Sequence, residues 1–133
     1  MRKIQWWNTH FGIEEINKIT ESIQNKNISL GKVSSKFEKK LSEYLEVENV
    51  ITVCNGSVAL LMSLIALNIK KGDEIIIPNR SWIATAHAAH MLGAKIILID
   101  VEKERPIIDA NKIEEKITKK TKIIIPVHLN GRS

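Results

Sequence analysis

The chain has a single cysteine, Cys54, among 133 residues, so no intrachain disulfide can define its fold. That usage agrees with a reducing compartment. Aromatic residues make up only 5% of the sequence, and none is interleaved with the lysine pairs Lys39-Lys40, Lys70-Lys71 and Lys119-Lys120. A nucleic-acid binder needs rings beside its charge as a stacking platform, so nucleic acid is not an expected partner. No uncharged apolar run reaches the about 18 residues of a membrane span. The start, Met1-Arg2-Lys3-Ile4-Gln5, does not open a signal-peptide apolar region. The expectation is a cytoplasmic protein with no membrane partner.

Several catalytic signatures are also missing. There is no GxGxxG, GxxxxGK[ST] or GxSxG, which removes support for dinucleotide dehydrogenases, P-loop enzymes and α/β-hydrolases. The histidines are His10, His87, His90 and His128. His87 and His90 stand three apart, but no HExxH pattern, cysteine pair or nearby carboxylate completes a zinc site, and no metal is expected. No repeat and no stretch rich in Pro, Gly or Ser interrupts the chain, so residues 1–133 are read without an internal domain boundary.

What is present is a hydrophobic content of 44%, enough for a packed core, and a net charge of +5 that suits an anionic ligand. Ile13, Ile16, Ile19 and Ile23 recur at helical spacing and predict an amphipathic helix over 13–24. Ser35-Lys36-Phe37-Glu38 has the form of a capping box, and Phe37, Leu41, Tyr44 and Leu45 line one face of a second helix running to 47. The rhythm then changes. Short β-branched runs at 50–53, 74–77, 95–99 and 122–127 alternate with helical stretches at 58–67, 83–92 and 110–117. Four strands separated by three helices predict an α/β fold, a mostly parallel sheet flanked by helices and preceded by two N-terminal helices. Apolar strand faces predict helices on both sides. The helix at 58–67, apolar all round except for Ser63, is expected to be buried.

The turn Asn55-Gly56-Ser57 joins an apolar run directly to a helix N-terminus. The N–H groups of Gly56, Ser57 and Val58 and the positive end of the helix dipole converge there, which favours an anion. Gly56 lacks the Cβ that would block an oxyanion, and Ser57 adds a hydroxyl at the cap. Read alone, the same residues also satisfy a plain helix cap and a tight turn. The next turn, Asn79-Arg80-Ser81, leads to Trp82 and another helix at the carboxyl end of a strand, the edge where open α/β sheets bind ligands. Trp82 could offer a flat face to a planar ring or plug a helix start. His128 follows the last strand at the same edge and is either a cofactor or substrate contact or a hydrogen-bonded loop residue. Arg80 and Arg132 offer donor forks for a carboxylate or phosphate, or are exposed loop arginines.

Together these residues are familiar. Phe11-Gly12-Ile13-Glu14-Glu15-Ile16, Cys54-Asn55-Gly56-Ser57-Val58-Ala59-Leu60, Lys71-Gly72-Asp73-Glu74-Ile75-Ile76-Ile77-Pro78, Ser81-Trp82-Ile83-Ala84-Thr85-Ala86 and Pro126-Val127-His128-Leu129 occur in an order that resembles the DegT-type sugar aminotransferases. The resemblance implies part of the large domain of a fold-type I pyridoxal 5'-phosphate (PLP) enzyme. It implies an amino-acid donor, glutamate by family pattern, a nucleotide-sugar substrate of polysaccharide biosynthesis, and a homodimer. It assigns the PLP phosphate to Gly56, Ser57 and Val58, the stacked aromatic position to Trp82, and further cofactor or substrate contacts to His87, His128 and Arg80. Two positions depart from the pattern: His87 stands where the family usually has Asn, and Asn130 where it has an aromatic residue. The family's cofactor-anchoring lysine lies downstream of the Pro-Val-His-Leu strand. The chain is therefore expected to be an N-terminal piece without a catalytic residue, inactive alone and prone to self-association through an unpaired sheet edge.

Overall fold

The structure is a computed structural model that describes residues 8–133; the opening Met1-Arg2-Lys3-Ile4-Gln5 lies outside the described residues. The described residues form two compact units, divided between Thr52 and Val53.

The first unit holds two helices. Helix α1 spans Ile13–Gln24, the range that the isoleucine spacing predicts. Glu15 reaches back to the Gly12 N–H at 2.6 Å, and this bond holds its carboxyl below the usual glutamate range. Helix α2 spans Lys32–Leu45, so it starts three residues before the expected capping box. Ser35 is already helical and its N–H donates to Gly31 O. Glu38 is drawn elsewhere, accepting from the Thr52 N–H at 2.8 Å and the Thr52 hydroxyl at 2.7 Å. Glu46 ends α2 in the left-handed region at φ 54°. Neither helix contains a fully buried residue; Ile13, Ile16, Ile19, Ile23, Phe37 and Tyr44 are exposed.

The second unit is built on a parallel sheet of three strands, β1 (Glu74–Pro78), β2 (Lys95–Ile99) and β3 (Thr121–Ile124), in the order β2-β1-β3. Helices α3 (Gly56–Ala66) and α4 (Ala84–Met91) pack on each other, and α4 also packs on β1 and β2. The core is Leu64 of α3, Ile75 and Ile77 of β1, Ala88 and Ala89 of α4, with Ile69 and Ala94. The small alanines let α4 lie close to α3 and the sheet. Gly72 and Gly93, at φ 92° and 74°, turn the chain into β1 and β2, and the Gly72 N–H donates to Gly93 O.

Four expectations need correction. The run 50–53 has no regular secondary structure and pairs with no strand among the described residues, leaving three strands instead of four. The stretch 110–117 is two 3₁₀ turns, Ala110–Lys112 and Glu114–Lys116. Asp109 accepts from the Asn111 N–H and fixes the first turn locally, and the segment is too short to nucleate an α-helix without packing. Strand β3 ends before Pro126, which has no N–H for the ladder, although the Ile125 N–H still reaches Ile76 O. Helix α3 is not buried all round: Leu64 is 2% exposed, whereas Met62 and Ile65 are exposed, and within the second unit α3 packs chiefly on α4. All five residues of β1 are buried, but β2 and β3 are only partly covered.

Candidate functional site

Helix α3 starts at Gly56, and its cap is Asn55 rather than Ser57. The Asn55 Oδ1 accepts the Val58 N–H at 3.0 Å, and Asn55 O accepts the Ala59 N–H at 3.1 Å. Four N–H groups at a helix start lack intrahelical partners. With Val58 engaged by the cap, the Gly56 and Ser57 N–H groups carry no hydrogen bond among the described residues. They stand at the positive end of the α3 dipole beside the Ser57 hydroxyl. An ideal Cβ at Gly56 would meet nothing within 4 Å, and Gly56 and Ser57 are both exposed.

Trp82 follows β1 by four residues and precedes α4. Its carbonyl accepts the Thr85 N–H at 3.2 Å and the Ser81 hydroxyl at 3.3 Å, which fixes the backbone, while the residue is 76% exposed. An exposed indole held on a fixed backbone is a ready flat surface.

A cleft of about 290 Å³ brings these elements together. Ser57, Val58 and Leu61 of α3 line one side; Trp82, Ile83, Ala84, His87, Ala88 and Met91 line the other. His87 is the only titratable side chain among them. The cleft therefore joins anion donors at one helix start to an aromatic face at another, with an apolar floor between.

The remaining expected residues lie elsewhere. Arg80 is exposed, makes no side-chain hydrogen bond among the described residues, and does not line the cleft. His128 follows β3, its Nδ1 lies 3.2 Å from Arg132 O, and it too does not line the cleft. Arg80 and His128 do follow the carboxyl ends of β1 and β3, which are neighbours in the parallel sheet. The Cys54 to Ser57 turn follows the unpaired 50–53 run rather than a strand of the sheet. Asn55 is the residue that sequence reasoning missed; an Asn immediately before Gly at a helix start was its signal. No group of metal-ligating side chains occurs among the described residues, and no described helix is long and apolar enough to cross a membrane.

A parallel α/β unit with donors at a helix N-terminus and an aromatic face across a cleft has the chemistry to receive a phosphorylated planar ligand. Residues 10–133 match the DegT/DnrJ/EryC1/StrS aminotransferase family, and the chain belongs to that family. It is 39% identical over 125 residues to 3-oxo-glucose-6-phosphate:glutamate aminotransferase of Bacillus subtilis, covering 93% of this chain and 28% of that protein. It is 44% identical over 103 residues to GDP-perosamine synthase of Escherichia coli O157:H7, covering 77% of this chain and 28% of that protein. Among solved structures, NtdA from B. subtilis with bound PMP superimposes with a TM-score of 0.82 at 39% identity, over 89% of this chain and 27% of that one. E. coli GDP-4-keto-6-deoxy-D-mannose-3-dehydratase with hydrated PLP gives 0.84 at 26%, over 91% and 33%. The chain thus spans about 28% of the length of these curated relatives.

Proposed function

We propose that this chain, both units together, forms the N-terminal part of the PLP-binding large domain of a sugar aminotransferase. The complete enzyme would take an amino group from glutamate and deliver it to a nucleotide-linked keto sugar. In this reading it acts as a cytoplasmic homodimer in polysaccharide biosynthesis. The observation that carries the proposal is the cleft, which Ser57 at the start of α3 and the exposed Trp82 both line, with the Gly56 N–H and the Ser57 N–H free of protein partners among the described residues.

These residues fit PLP. The space in front of Gly56, which a Cβ would occupy, takes the phosphate, and the Gly56 and Ser57 N–H groups with the Ser57 hydroxyl donate to its oxygens. Val58 contributes cleft wall, since its N–H is held by Asn55. Trp82 covers one face of the pyridine ring and excludes water from it. His87 stands within reach of the same ligand, and Arg80 and His128 serve the substrate from the carboxyl edge. When bound, PLP supplies the electron sink that transamination needs. The lysine that anchors it lies in the part of the family pattern beyond Leu129, so no lysine here is given that role.

The test is PLP titration followed by borohydride reduction and peptide mapping. This chain should bind PLP reversibly, with quenching of tryptophan emission and no covalent pyridoxyl group; a version extended through the downstream lysine should be labelled there. Labelling of one of this chain's own lysines, or no response to PLP, would overturn the reading. The likeness to a solved dehydratase supports a second reading, deoxygenation of the sugar, which the residue at the anchoring-lysine position decides.

A further inference from the structure

Asp100 lies immediately after β2 and outside the cleft, yet both of its carboxylate oxygens are engaged. Its Oδ1 accepts from Asn79 Nδ2 at 2.8 Å, and its Oδ2 accepts from Lys112 Nζ at 3.1 Å. A carboxylate only accepts, so the Asn79 amide must present its nitrogen there. The Asn79 N–H also donates to Ile99 O at 2.8 Å. Asn79 is thereby pinned through backbone and side chain to two consecutive residues of the neighbouring strand's end. From Asn79 the chain reaches Trp82 in three residues, and the Trp82 carbonyl is itself fixed by Thr85 and Ser81. The Asp100 carbonyl accepts the Asp109 N–H, and Lys112 belongs to the 3₁₀ turn that follows. One aspartate therefore ties the Trp82 loop, the end of β2 and the 109–112 turn to one another.

We propose that Asp100 is a positioning residue for Trp82: through Asn79 it sets where the indole stands at the mouth of the cleft. The consequence for PLP binding rests on the function proposed above; the placement of the indole does not. Asp100→Ala removes the acceptor for Asn79. Asp100→Asn retains an amide oxygen for Asn79 and gives up the charge facing Lys112.

The experiment uses the full chain with Trp6→Phe and Trp7→Phe, so that Trp82 is the sole tryptophan, and compares the two variants with their parent. Without ligand, Asp100→Ala should change the Trp82 emission maximum and its acrylamide quenching, while Asp100→Asn should match the parent. With PLP, Asp100→Ala should raise the dissociation constant about two- to fivefold, the range for one exposed charged contact, and Asp100→Asn should restore it. An unchanged melting transition would separate these effects from general loosening. Unaltered Trp82 emission in Asp100→Ala, or equal changes in both variants, would overturn the proposal. If the parent ignores PLP, the proposed function fails while the ligand-free emission still decides the role of Asp100.

Discussion

A methyl group at position 56 would touch nothing within 4 Å, and Gly56 is not among the residues with positive φ. Gly56→Ala therefore leaves the backbone unstrained, and by restricting the unfolded chain it should hold or raise stability by about 0.4–1 kcal/mol. In the proposed PLP site the same methyl would take space beside the Gly56 and Ser57 donors, so PLP affinity should fall about tenfold or more, equivalent to about 1.4 kcal/mol. Calorimetric melting and PLP titration of one sample check both halves. Asn55→Ala should act in the opposite way on stability, costing about 1 kcal/mol in a denaturant titration, because the Val58 N–H loses its cap. At this scale the sequence already marked Ser57, Trp82 and His87 as candidates. What it left open was which side chain caps α3, because Asn55, Gly56 and Ser57 are all good residues at a helix start. Only the backbone geometry distinguishes them.

Glu74 shows how one side chain can join an element to its neighbours. It opens β1, is 5% exposed, and accepts from the Thr118 hydroxyl at 2.6 Å and from Lys95 Nζ of β2 at 3.0 Å. The Thr118 bond first, and Lys95 next, hold its carboxyl below the usual glutamate range. A lowered folded-state pKa adds stability that is complete above the unfolded value of about 4.3 and is lost as pH falls through the folded value. Glu74→Gln should consequently lower stability at neutral pH and flatten the acid limb, measured as denaturant midpoints from about pH 6 down to pH 3. The element boundaries divide in the same physical way. Helix α1 and strands β1 and β2 were legible because periodicity or β-branched runs coincide with short turn signals. The 50–53 run was not, because a strand exists only through its partner and composition does not name one. The 110–117 stretch misled because it has helix-forming residues but only Ile113 and Ile117 to bury.

Across the molecule, apolar surface is left uncovered. Ile65 and Met62 on α3, Leu98 on β2 and Ile124 on β3 are exposed in the second unit, as are the isoleucines of α1 in the first. Scattered apolar residues are ordinary on a surface; rows of them on helices and strands mark interaction or aggregation faces. Sedimentation should therefore show association that grows with loading concentration. Ile65→Glu should reduce it while moving folding stability by no more than about 0.5 kcal/mol, since that side chain contributes little to the core. The strong apolar character of α3 was plain in the sequence. Its uneven burial was not, because sequence records which residues seek cover and not whether a neighbour supplies it.

The strand order has a kinetic side as well. The Lys95–Glu74 contact joins residues 21 apart in sequence, whereas the Thr118–Glu74 contact spans 44. Loop closure costs more entropy over the longer span, so β1, α4 and β2 form the natural folding nucleus and β3 docks afterwards. Perturbations at the β1–β2 seam should slow refolding, and those on β3 should chiefly hasten unfolding. The central strand is thus the hinge of a folding order as well as the middle of a sheet.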